Sequence, residues 1–264
     1  MLAGLFGVCA LGVGALWWMH HALAGKPPPD IAPFAHSAAT RAADEAAARR
    51  SSARLADLTS ALPWAAPLGT SVADSCRTLG GRAFVGEATT WSSISCVRTS
   101  VLYVAFDGDV RTRLRQLDAA LAAQGWAARG GARDTLSALD ASRQSPAAPP
   151  QPGVRPATRS TCLMTTYAPA AQASAAAPGA TATALTASVA EYPCTPRVAT
   201  GDVQSYRPPR KSPDEGVLYL DYHPLWTQAV ARTAYAHHRY LAAFSVTDRY
   251  ATQSPHARSP SPAR

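Results

Sequence analysis

Cys76, Cys96, Cys162 and Cys194 are the side chains whose type and number most clearly imply chemistry. Cys9 lies apart, inside an apolar run, and reads as a small apolar residue there. Four cysteines with no CxxC spacing argue against thioredoxin-type exchange and the common zinc ribbons, and point to two disulfides. Three pairings are possible. Cys76–Cys96 and Cys162–Cys194 are favoured because each joins neighbours in sequence. Closing a loop of about 20 residues would contribute roughly 3 kcal/mol in the chain-entropy picture. The competing reading is four reduced, buried thiols in a cytoplasmic domain.

Asp107 and Asp109 flank Gly108 and could bind a cation or act as acid and base. Their plainer role is to open a helix, with Asp109 as its N-cap. Asp221 and His223, with His237 and His238, could supply metal ligands, yet no ligand spacing supports them, and surface histidines are the plainer reading. Lysine occurs only at Lys26 and Lys211, so no P-loop exists. There is no GxSxG, HExxH or SxxK motif. Asparagine is absent, which removes glycosylation sequons and a Cys-His-Asn triad. No catalytic, cofactor-binding or metal-ligating residue is assigned. Asp107, Asp109, Asp221 and His223 are the candidates for an unfamiliar site.

Leu2 to Met19 is an unbroken apolar run of 18 residues, ending in Trp17 and Trp18. It is long enough to span a bilayer with interfacial aromatics at its end. Ala22-Leu23-Ala24 is also a signal-peptidase pattern, with cleavage between Ala24 and Gly25. Residues 1–24 are therefore read as a transmembrane anchor, or else as a cleaved signal peptide. The rest is placed outside the cytoplasm, anchored by a single pass or secreted.

Residues 25–62 read as a proline-rich spacer followed by an Ala-rich stalk helix, Ser37 to Leu62, that packs only near its C-terminal end. Residues 63–246 read as an α+β domain with one small antiparallel or mixed sheet and two helices. It is interrupted by low-complexity insertions near 127–160, 168–190 and 197–215, the first with room for a short helix around Asp134 to Ala141. Within it, Ile94 to Phe106 is the clearest strand. Val110, Leu114, Leu117 and Leu121 form one helical stripe, with Gly125 beyond the helix end and Trp126 folding back. Val217 to Tyr222 and Tyr240 to Val246 read as strands flanking a last helix from Pro224 to about His238. Residues 247–264 read as a disordered basic tail. The patterned segments total roughly 120 residues, enough for one modest core.

Asp74-Ser75-Cys76, Ser95-Cys96, Asp107-Gly108-Asp109 and Gly125-Trp126 resemble a pattern in exported or membrane-anchored actinobacterial proteins. In those proteins an SC…TC pair precedes a DGD helix start and a GW helix end. The resemblance covers about 50 residues and implies an exported domain with the first disulfide. It implies no activity, cofactor or catalytic residue.

The 25 basic residues exceed the 17 acidic ones, and almost all of them are arginine. They are scattered through stalk, loops and tail, which does not favour nucleic acid. Anionic lipid or an anionic envelope polymer suits them better. The function expected is a non-catalytic binding or scaffold module of the cell envelope. A secreted hydrolase with an unfamiliar site is one alternative. A subunit of a secretion or transport assembly, pairing with a partner through the stalk helix, is the other.

Overall fold

The computed structural model describes residues 28–81, 90–129, 134–144, 162–170, 183–196, 215–225 and 227–254. Its β-branched and aromatic run Ile94–Phe106 is strand β3, hydrogen-bonded along both edges. One neighbour is β1 (Ala66–Gly81) and the other is β8 (Tyr240–Gln253). The far edge of β1 carries β7 (Glu215–His223), and β2 (Thr90–Trp91) pairs with its last residues. Beyond β8 follow β6 (Thr183–Glu191), β5 (Cys162–Pro169) and β4 (Trp126–Arg129). Every pairing is antiparallel, and the eight strands make one sheet.

Alternation along the strands separates two faces. Leu102, Val104 and Phe106 of β3 join Leu185, Ala187 and Val189 of β6 and Ala242, Phe244 and Val246 of β8 on one face. Three helices cover it: α2 (Ala38–Ala61), α3 (Val110–Ala123) and α4 (Thr135–Gln144). Leu58 of α2, Leu114, Leu117 and Leu121 of α3 and Leu139 of α4 are almost wholly buried there. Each such leucine contributes about 1.5–3 kcal/mol of burial. The opposite face presents Val101, Tyr103 and Ala105, covered by α5 (Thr227–Tyr235) through Val230, Ala231 and Ala234.

The expectation of one small, possibly mixed sheet with two helices is corrected by this sheet. Two misreadings produced it. Residues 183–191 have the Ala/Thr/Ser composition of a linker, yet they form an inner strand between β5 and β8. Leu185, Ala187 and Val189 alternate toward the helices, and small residues suffice because both sides of the strand are covered. β4 (Trp126–Arg129) runs into the stretch read as an insertion near 127–160, whereas the short helix expected there around Asp134 to Ala141 forms as α4. β8 also continues to Gln253, past the boundary placed at residue 246.

The stalk is corrected too. Thr40, Ala47, Ser51, Leu55 and Leu58 are buried along α2, most of them at spacings of three and four. That stripe faces the sheet over the helix's whole length. Its front half is small and polar, so hydrophobic periodicity alone shows only the leucines at its end. Ser37 caps the helix by accepting from the Thr40 N–H at 3.2 Å. The preceding turn of helix, α1 (Ala32–Ala35), also packs down, with Ile31 and Ala35 buried against the β1–β7 edge. Gly216 permits this approach: a Cβ there would lie 3.0 Å from Thr78 Cγ2 and 3.2 Å from both Ile31 Cδ1 and Pro28 Cβ.

Both expected disulfides form. Cys76 and Cys96 are directly opposed on β1 and β3, with Cα atoms 3.9 Å apart. Cys162 at the start of β5 joins Cys194 after β6, with Cα atoms 6.1 Å apart. Among the described residues no helix is long and apolar enough to cross a membrane. Residues 2–19, the Ala24–Gly25 cleavage site and Cys9 lie outside the described residues.

Candidate functional site

Among the described residues, three places gather chemistry-bearing side chains. The first lies beneath α2. Asp74 of β1 is fully buried, opposite Arg98 of β3 and Asp221 of β7 in register. Arg98 donates from Nη1 to Asp74 Oδ2 at 3.1 Å and to Asp44 Oδ1 of α2 at 3.2 Å. Its Nη2 donates to Asp221 Oδ2 at 2.8 Å. Tyr250 follows Phe244 and Val246 in the alternation along β8 onto this face, at a bulge that leaves it without an opposite residue, and its hydroxyl donates to Asp74 Oδ1 at 2.8 Å. His223 Nε2 sits 2.9 Å from Asp221 Oδ1, with its ring largely in solvent.

Three carboxylates thus surround one guanidinium. Burial, and a hydrogen bond shared with Asp44, push the Asp74 carboxyl up to about 8, against the pull of Tyr250 and Arg98. Burial works against the charge on Arg98, but the three aspartates outweigh it and raise its pKa. Further along α2, Arg50 clamps the fully buried Asp248 through Nε at 3.0 Å and Nη2 at 2.9 Å. Among the described residues no three His, Cys, Asp or Glu side chains are arranged to hold a metal ion. Arg98 fills the space between the aspartates. This cluster ties the helix to the sheet, and α2 covers it.

The second place is a small cavity of about 330 Å³ at the end of β3, lined by Trp64, Phe106, Asp107, Arg113 and His238 among others. His238 Nδ1 lies 2.7 Å from Asp107 Oδ2, while Asp107 Oδ1 accepts the Arg239 N–H at 2.8 Å. Those two contacts hold the Asp107 carboxyl below its ordinary pKa, the Arg239 amide contributing more. The Arg113 guanidinium stacks on Trp64, 5.0 Å from the ring centre. An aspartate on Nδ1 orients an imidazole as a base. However, among the described residues no serine, threonine or cysteine lines the cavity.

The third is a cleft of about 910 Å³ between α5 and residues 192–195, on the other face of the sheet. Tyr192, Pro193 and Thr195 form one wall. Gln228, Arg232 and Tyr235 form the other, on the side of α5 next to the stripe that packs on the sheet, with Ala231 of that stripe at its floor. The Tyr192 and Tyr235 rings meet edge to face, 5.9 Å apart at 80°. Tyr192 is 72% exposed. Its wall is braced twice. Cys194 is bonded to Cys162 on β5, and its carbonyl accepts the Tyr235 hydroxyl at 2.7 Å. Burial, then the Glu191 charge, raise the pKa of that hydroxyl well above the ordinary phenol.

The sequence candidates separate accordingly. Asp109 is the N-cap of α3, accepting from the Thr112 N–H and hydroxyl at 2.8 Å. Asp221 is a partner of Arg98, and His223 flanks it at the surface. Asp107 lines the small cavity at the end of β3, and its companion is His238. The cleft residues Tyr192, Thr195, Gln228 and Arg232 were not anticipated. Two signals were available: an aromatic-proline pair beside a bridged cysteine, and Gln228, Arg232 and Tyr235 on the side of α5 beside its buried Val230, Ala231 and Ala234. No family model, curated protein or solved structure matches the chain.

Proposed function

We propose that this chain is an extracytoplasmic, disulfide-bonded binding module that holds a small ligand in the cleft between α5 and residues 192–195 and performs no catalysis. The observation that carries the reading is the cleft itself. Its volume falls in the range of ligand pockets, and its walls mix aromatic rings with a few polar groups. A disulfide and a half-buried tyrosine hydrogen bond pre-organise one wall, which lowers the entropy lost on binding. Two disulfides support an oxidising compartment, and residues 2–19 supply a route to it as an anchor or signal. The arginine excess suits an anionic lipid or envelope polymer as a neighbouring surface.

A thermal-shift screen of the full-length chain against a library of small metabolites tests the reading. Ligands that raise the melting temperature should lose their effect in Tyr192→Ala. Stabilising ligands that are indifferent to Tyr192→Ala and Gln228→Ala would place binding elsewhere.

A second reading, a hydrolase, is favoured by the Asp107–His238 pair beside its cavity. It predicts slow cleavage of p-nitrophenyl esters, abolished in His238→Ala. The binding reading predicts no such turnover in either protein.

A further inference from the structure

We propose that the cleft is a saccharide site, in which a pyranose ring stacks on Tyr192 and its hydroxyls are held by Gln228, Arg232 and Thr195. The inference rests on the binding reading above and specifies its ligand class. Four features of the cleft lead to it.

Tyr192 is a large aromatic ring left mostly in solvent, on a segment that a disulfide and the Tyr235–Cys194 hydrogen bond hold in place. A loop side chain serving only the fold would bury such a ring, because an aromatic side chain gains most from leaving water. An exposed aromatic on a fixed wall suits a ligand that supplies the missing apolar face. The C–H groups on one face of a pyranose do so. They are weakly positive and meet the negative face of a π system.

The polar groups fit the same ligand. Gln228 offers both a donor and an acceptor, Thr195 a hydroxyl that can act as either, and Arg232 a fork of donors. A sugar hydroxyl is itself donor and acceptor, so it can answer all three. A fatty acyl chain would answer neither the Gln228 amide nor the Thr195 hydroxyl, at a cost in desolvation. Arg232 is the one charged side chain among the described residues lining the cleft, which gives a multiply charged anion little purchase.

The Tyr235 hydroxyl is already donated to the Cys194 carbonyl. Tyr235 therefore offers the ligand an aromatic edge while its hydroxyl keeps the wall closed. Pro193 beside it adds an apolar, rigid surface. The volume accommodates more than one sugar ring, and the cleft opens at the surface. Both features suit a segment of a longer glycan.

The test is a glycan array, followed by calorimetry of the full-length chain with any oligosaccharide retained. The array carries α- and β-linked glucose, mannose, galactose and N-acetylhexosamine oligomers. At least one series should bind saturably. Tyr192→Ala should weaken it tenfold or more and Gln228→Ala several-fold, with the melting temperature of the free protein unchanged in both. Leu79→Ala, another exposed apolar residue, serves as the control and should bind as the unmodified chain does. A blank array, combined with a nucleoside or other non-saccharide whose binding needs Tyr192, would overturn the saccharide assignment and leave the cleft as a binding site. Saccharide binding unaffected by Tyr192→Ala would overturn the placement. A blank array with no Tyr192-dependent ligand of any class would overturn both this inference and the function it rests on.

Discussion

Replacing Asp74 with asparagine should flatten the dependence of stability on pH. Asp74 is wholly buried and its carboxyl is pushed up to about 8 in the folded protein, while an unfolded chain returns it to its ordinary 3.8. Between those values the folded state holds a proton that the unfolded state has lost. The stability linked to this group is therefore fully present below about pH 4 and is lost as pH rises through about 8. One proton corresponds to at most about 1.4 kcal/mol per pH unit over that window. The asparagine side chain imitates the neutral acid, keeps an acceptor for Tyr250, and has nothing to ionise. Urea unfolding at pH 5, 6, 7 and 8, with both disulfides intact, measures the effect. The unmodified chain should lose stability across the series faster than Asp74→Asn, and the difference between them should widen steadily with pH. Parallel curves would mean that Arg98 and Tyr250 hold Asp74 ionised throughout, and that burial beside Asp44 does not protonate it.

Arg98→Met should cost about 3–5 kcal/mol at pH 8, because it leaves buried carboxylates without their counter-charge. The loss should shrink at pH 5, and Asp74→Asn should restore part of it; the same urea series reads both. Asp118 of α3 accepts from the Thr135 N–H and hydroxyl at the start of α4 and from the Tyr167 hydroxyl of β5, all on Oδ1. Asp118→Ala should therefore destabilise by about 1–3 kcal/mol, measured by chemical denaturation, with α4 the first element to lose hydrogen-exchange protection. Gly216→Val should lift α1 off the β1–β7 edge at a cost of about 1–2 kcal/mol and expose residues 28–36 to proteolysis, while the rest of the domain stays folded. Cys162→Ser with Cys194→Ser should lower stability by roughly 3 kcal/mol. In calorimetry it should also weaken any ligand of the cleft, whereas Cys76→Ser with Cys96→Ser should affect stability alone.

The parts of the molecule that sequence made legible are those in which one physical pattern dominates. β3 and the α3 stripe matched their expected residues because β-branched runs and leucines at helical spacing leave little choice. Asp109, Gly125 and Trp126 took their expected roles at the ends of α3, Gly125 with a φ of +77°. The two cysteine pairs closed as neighbours. β6 stayed hidden because an inner strand covered on both faces can be built from Ala, Thr and Ser. α2 was misread because its buried stripe changes from polar to leucine half-way along, so its first half reads as solvated. The ion cluster beneath it joins residues 44, 74, 98, 221 and 250, which only the strand register brings together. The cleft depends on a loop and a helix edge that no motif marks, and its polar residues resemble ordinary surface residues until the disulfide places them opposite one another.

An oxidised, exported domain is the premise of the whole account, since the wall of the cleft hangs on Cys162–Cys194. The most direct measurement is the intact mass of the protein from its native host after thiol blocking without reduction. No blocking is expected at Cys76, Cys96, Cys162 or Cys194, in a species starting at Met1 with Cys9 alone blocked, or in one starting at Gly25 with none. Blocked thiols at those four positions would contradict that premise and place the domain in a reducing compartment.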